Sequence, residues 1–165
     1  MSLSQWAPLF SYPGEDYHVR VGECGNSLAE FARVIEGVPI ETLQELFTQT
    51  FDWNPATTLD IGWHLFGENY DRGDFLVKLR GALKTHDIAE SRELPDHLSH
   101  VLLLIDRMPE QERAEFLTEY VVPAVEKLRE GLAKTRSPFL PLVIALQRQF
   151  ASLLSKPVLA GVNHE

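Results

Sequence analysis

The sequence predicts an all-α protein, a single-domain bundle of about six to eight helices. Three observations carry that expectation. Apolar residues recur three and four positions apart through most of the chain, the spacing of one helix face. Prolines fall at the starts of these periodic segments and glycines at their ends, the asymmetry of helix termini. No run alternates with period two between hairpin turn signals, so no strand is expected.

Taken in order, Leu9-Phe10-Ser11-Tyr12-Pro13-Gly14 reads as the end of a short apolar helix, because Pro-Gly punctuates strongly. Asn26 or Ser27 can cap the next helix, with Glu30 completing a capping box behind Ser27. Its stripe is Leu28, Phe31, Ala32 and Ile35, and Gly37 stands where a C-terminal cap is expected. Pro39 opens a helix with Ile40, Leu43, Leu46, Phe47 and Phe51 inward, broken by Asp52-Trp53-Asn54-Pro55. Thr57 or Thr58 restarts the chain into Leu59, Ile61, Trp63, Leu65 and Phe66, and Gly67 ends that segment. Asp71 is expected to cap a helix from Arg72 to Thr85, with Phe75, Leu76, Leu79, Ala82 and Leu83 as its stripe.

A helix from Pro95 to about Arg107 is apolar nearly all round at Val101 to Ile105, which predicts a central, buried position. Met108-Pro109 separates it from Glu110 to Val122, with Phe116, Leu117, Tyr120 and Val121 inward. Pro123 starts or kinks the following helix, which carries Val125, Leu128 and Leu132. Ser137-Pro138 leads into the last one, with Leu140, Val143, Ile144, Leu146, Leu153 and Leu154. About residues 1–8 and 157–165 are expected to be frayed ends.

The 165 residues suffice for one domain with a real core, and 44% hydrophobic with 24% charged residues is ordinary for a globular protein. No apolar run approaches the ~20 residues that cross a bilayer, and the first residues lack the basic start of a secretory signal. The lone Cys24 excludes an intrachain disulfide and suits a reducing compartment, so the expected location is the cytoplasm. Fifteen Lys and Arg against 24 Asp and Glu give a net charge of −9. A surface of that sign repels phosphate backbones, which argues against nucleic-acid binding and favours a basic partner.

Catalytic machinery is hard to find. The chain has no Gly-rich phosphate loop, no Cys-based zinc spacing and no nucleophile elbow. Cys24, in Gly22-Glu23-Cys24-Gly25, reads as a small apolar residue rather than a nucleophile. His97 and His100 stand three apart on one helix face, and with His64 from another helix they could hold a metal or cofactor in an enzyme. Two histidines in the first turns of a helix explain the pattern more simply. Arg72, after Tyr70-Asp71, is either a solvated charge or the partner of a carboxylate such as Glu93. A soluble acidic helical domain of this kind binds something more often than it converts it.

The stretch Ser91-Arg92-Glu93-Leu94-Pro95-Asp96-His97-Leu98 concentrates polar residues between two helical patterns. One reading is a helix start, with Pro95 at the first helical position and Asp96 at the positive end of the dipole. The other is a functional surface in which Glu93, Asp96 and His97 are presented at a helix mouth.

These residues also carry a resemblance. Leu9-Phe10-Ser11-Tyr12-Pro13, then Phe51-Asp52 with Leu65-Phe66-Gly67-Glu68 and Asp71-Arg72-Gly73, then Glu93-Leu94-Pro95-Asp96-His97-Leu98 follow in the order of a known family. The sequence resembles the NarJ-type delta subunit of respiratory nitrate reductase, within the wider TorD/DmsD family of molybdoenzyme assembly chaperones. It departs in the middle block, where the family usually reads Leu-Phe-Glu-His with a longer lead to Asp-Arg-Gly. The resemblance implies an all-helical, non-enzymatic chaperone with no cofactor or metal of its own, a monomer or weak dimer. Its implied partner is the N-terminal segment of an apo molybdoenzyme catalytic subunit, nitrate reductase before relatives. Binding there would assist molybdenum cofactor insertion and complex assembly before membrane docking or export. On this reading Tyr70, Asp71, Arg72, Glu93, Asp96 and His97 meet the client, while Leu94, Pro95 and Phe66 serve the structure. A structural adaptor in an unrelated complex is the remaining alternative.

Overall fold

In a computed structural model, residues 2–155 form an all-helical architecture. Nine α-helical segments are present among the described residues: α1 (Tyr17–Glu23), α2 (Ala29–Ile35), α3 (Ile40–Phe47), α4 (Ile61–Phe66), α5 (Tyr70–Thr85), α6 (Leu98–Arg107), α7 (Glu110–Phe116), α8 (Val122–Lys134) and α9 (Leu140–Ser155). No strand is assigned among them. The expectation for residues 157–165 falls outside the described residues.

Helix α6 is central, as its all-round apolarity predicts: Leu98, Val101, Leu102, Leu104 and Ile105 are buried. The N-terminal turns lie across it. Residues 2–8 are therefore anchored rather than frayed. Leu3, Trp6 and Ala7 are buried, and the Asp106 carboxylate accepts hydrogen bonds from the Leu3 and Ser4 amides and both serine hydroxyls. Leu9 and Phe10 belong to a 3-10 turn (Ala7–Phe10) rather than to a short α-helix. Helix α1, which the sequence left unassigned, follows, and its buried Tyr17 donates to the Leu9 carbonyl.

Phe31 of α2, Phe47 and Phe51 at the end of α3, and Phe139 ahead of α9 form an aromatic cluster with centroids 4.7–5.9 Å apart. Helix α3 runs into a π-turn (Thr48–Asp52), which turns Phe51 inward where the sequence expected it. A second π-turn (Leu117–Val121) joins α7 to α8 in one rod. Its cause is Pro123, which has no amide hydrogen and whose ring crowds the preceding carbonyls, so the turn before it widens.

Helix starts were the least legible feature. The capping box at Ser27 does not form, because residues 25–28 are a 3-10 turn and α2 starts at Ala29 without a side-chain cap. The cap of α5 is Asn69, whose side chain accepts from the Asp71 amide, so Asp71 sits in the first turn instead. Helix α6 begins at Leu98 and not at Pro95. Leu94 to His97 form a β-turn, with Pro95 at its second position and the His97 N–H donating to the Leu94 carbonyl at 3.0 Å. His97 is extended (φ −63°, ψ 138°) because its neighbours pair with another segment. Ile61 N–H donates to Asp96 O (3.0 Å), and Leu98 N–H donates to Leu59 O (2.9 Å). The Asp60–His97 antiparallel bridge between these two bonds draws the start of α4 against the start of α6.

Candidate functional site

That bridge builds the site. Asp96 is 0% exposed, yet its carboxylate is fully engaged. Oδ2 accepts from the Gly62 amide (3.0 Å) and from Arg72 Nε (3.2 Å), while Oδ1 accepts from Arg72 Nη2 (3.4 Å). Burial pushes the Asp96 carboxyl above the usual carboxylate range, and Arg72 and the Gly62 amide pull against that. Gly62 is required by this packing. A Cβ there would overlap Asp96 Oδ2 and come within 3.1 Å of Phe75.

Arg72 also reaches outward to Asp60 Oδ2, 3.4 Å away. Asp60 is only partly covered, and its carboxyl is raised to about 6, first by burial and then by the neighbouring Asp96 charge. His97 is buried. Its Nδ1 accepts from the Ser99 amide, which places the ring proton on Nε2, 3.9 Å from Glu93 Oε1. Burial, with His100 beside it, lowers His97 to about 4, so it is neutral near pH 7.

These groups stand around a cleft in two connected parts that share Phe51, Asp52, Thr58 and Asp60. The wider part, about 260 Å³, adds Pro55, Trp63 and Arg72. The narrower, about 170 Å³, adds Leu59, Glu93 and His97. Three carboxylates therefore face a space that holds one cationic side chain, and burial raises Asp52 as well. Trp53, 70% exposed, stands beside the lining residues Asp52 and Asn54.

Of the residues singled out in the sequence, Arg72, Glu93, Asp96 and His97 come together. Glu93 and His97 line the cleft, Arg72 closes one end of it, and Asp96 lies behind it where no ligand can reach. Tyr70 (94% exposed) and Asp71 stand on the first turn of α5, apart from the lining. Phe66 is half-buried and packs against Phe75, their centroids 5.4 Å apart. Pro95 is buried, whereas the Leu94 side chain is exposed and only its carbonyl serves the turn. Asp52, Asp60, Trp63 and Gly62 were not singled out. Asp52 alone carried a signal, in the Phe51-Asp52 block of the resemblance.

The three histidines of the enzyme alternative do not converge. His64 Nε2 donates to the Thr58 carbonyl (2.7 Å), and both ring nitrogens of His100 are engaged within the 91–94 segment. Among the described residues no group of three His, Cys, Asp or Glu side chains could hold a metal ion. No described helix is long and apolar enough to cross a membrane.

The nitrate reductase delta subunit family model matches residues 21–145. The chain is 30% identical over 128 residues to the nitrate reductase molybdenum cofactor assembly chaperone NarJ of Escherichia coli K12, covering 77% of this chain and 50% of that protein. It is 29% identical over 140 residues to the probable chaperone NarW of the same strain, covering 84% and 60%. With the probable NarJ of Bacillus subtilis it shares 26% identity over 159 residues, covering 88% and 86%. The chain thus spans about half the length of the first of these relatives.

Proposed function

The chain belongs to the nitrate reductase delta subunit family, and on that footing we propose that it is a cytoplasmic chaperone for a molybdoenzyme catalytic subunit, with nitrate reductase as the first candidate. It acts by binding rather than by catalysis. Its client is the N-terminal segment of the cofactor-free subunit, held while the molybdenum cofactor is inserted and the complex assembles.

The observation that supports this reading is the cleft. Carboxylates from Asp52, Asp60 and Glu93 outnumber Arg72 along walls that include Phe51, Trp63 and Leu59. A surface of that kind suits an amphipathic segment that lays apolar side chains on the walls and directs basic ones at the carboxylates. The net charge of −9 steers such a segment toward the protein from a distance. Recovery of the tagged chain from cells tests the role. It should bring down catalytic subunit lacking the molybdenum cofactor and be absent from the mature complex. Stable recovery with the mature, cofactor-loaded enzyme would contradict the reading.

A further inference from the structure

Glu93 lies on an exposed segment that is held at few points. Residues 89–94 are exposed, and behind them Ala89 and Ser91 face a cavity of about 440 Å³ rather than packed side chains. Two side chains fix the segment: on the surface Arg80 of α5 donates twice to the Glu90 carboxylate (2.8 and 3.2 Å), and from the interior His100 holds the residues after it. His100, on the first turn of α6, accepts the Ser91 amide hydrogen at Nε2 (2.9 Å) and donates from Nδ1 to the Leu94 carbonyl (2.8 Å). Ser91 Oγ lies 3.1 Å from the same Nε2 and accepts from the Glu93 amide (3.1 Å). The path from His100 to Glu93 is therefore two hydrogen bonds long.

We propose that His100 is a positioning residue for client binding: by clamping Ser91 and Leu94 it fixes the turn that presents Glu93 to the cleft. This rests on the reading of the cleft as the client site. His100 touches no client itself. Its neutral tautomer, with Nδ1 protonated and Nε2 free to accept, is imposed by the two backbone groups it serves. An apolar side chain of similar size would fill the space and leave Ser91 N–H and Leu94 C=O without their partner. A glutamine offers one acceptor and one donor and can replace both bonds.

The test is calorimetry with a synthetic peptide of the nitrate reductase catalytic subunit's N-terminal sequence, on the full chain. His100→Leu should weaken binding about tenfold, equivalent to ~1.4 kcal/mol, and His100→Gln should recover most of that loss. Glu93→Gln should weaken binding to a similar degree, and the double variant should bind no worse than the weaker single one. Hydrogen exchange at the Ser91 and Glu93 amides should accelerate in His100→Leu while exchange within α6 stays slow. Should His100→Leu not fold, His100→Met carries the same comparison. Unchanged affinity in the apolar variant, with Glu93→Gln and Asp60→Asn both weakened, overturns the positioning role alone. Unchanged affinity in all three overturns the cleft reading with it. Fully additive losses at His100 and Glu93 also overturn the proposal, because the two would then act separately.

Discussion

Arg72 Nε lies 3.2 Å from Oδ2 of Asp96, and this buried pair ties the first turn of α5 to the turn that precedes α6. The aspartate of the Glu-Leu-Pro-Asp-His-Leu stretch is thus spent on the fold, together with the Gly62 amide that shares its oxygen. Asp96→Ala should lower stability by about 1–3 kcal/mol, since it leaves the Gly62 amide without its acceptor and Arg72 with Asp60 alone. Denaturant unfolding at pH 7 measures this, and a loss well under 1 kcal/mol would show that the pair contributes little.

Gly62→Ala should cost about 1–3 kcal/mol through overlap with Asp96 and Phe75. The backbone conformation is not the reason, since only space is lacking. In an Asp96→Ala background the added methyl should therefore cost less than it does alone. Equal costs in the two backgrounds would remove Asp96 as the obstacle.

Asp60 predicts an unusual pH dependence. Its carboxyl rises from 3.8 to about 6 on folding, so between those values the folded chain keeps a proton that the unfolded chain has released. Its contribution to stability is accordingly present at low pH and lost as pH rises through about 6. Asp60→Asn should raise stability at pH 7 by up to about 3 kcal/mol, from about two pKa units at 1.36 kcal/mol each. The gain should shrink to nothing below pH 4. His97 acts in the opposite sense, because its lowered value makes the fold lose stability as pH falls from 6.5 to about 4. Unfolding curves of parent and variant from pH 4 to 8 separate the two. A gain independent of pH would contradict the assignment to Asp60.

At the N-terminus, Asp106 holds the Leu3 and Ser4 amides and two serine hydroxyls, and these bonds keep its carboxyl low against the opposing effect of burial. Asp106→Ala should free the first turn, with about 2 kcal/mol lost and rapid hydrogen exchange at Leu3 and Ser4. Slow exchange there in the variant would show that Trp6 and Leu3 suffice as anchors.

Helix bodies were legible in the sequence because their apolar spacing is local: the stripe of α8 is buried where periodicity put it, and those of α3, α5 and α6 are buried but for half-buried Ile40, Leu46, Leu76, Ala82 and Leu103. Helix starts were less so, since Asn69 and Asp71 are both plausible caps and only the tertiary fold chooses Asn69. Pro95 misled for the same reason. Its turn serves a pairing with Leu59 and Ile61, more than thirty residues away, which no local pattern announces. The cleft follows from that pairing. Asp52 read as part of a helix break, and Asp60 drew no reading at all, until the 51–60 segment was laid beside Glu93 and His97. The resemblance pointed to the Glu93–Leu98 stretch, but only the structure shows Asp96 turned inward and Glu93 outward, with His100 buried just beyond it.

Whether this cleft holds the client is settled by a binding measurement. Calorimetry of the full chain with the N-terminal peptide of the nitrate reductase catalytic subunit should show one-to-one binding that weakens at high salt. In Asp60→Asn and Glu93→Gln that affinity should fall about five- to tenfold each, while Tyr70→Ala, outside the lining, should bind like the parent. Binding unaffected by either carboxylate change, in variants that remain folded, would place the client elsewhere on the molecule.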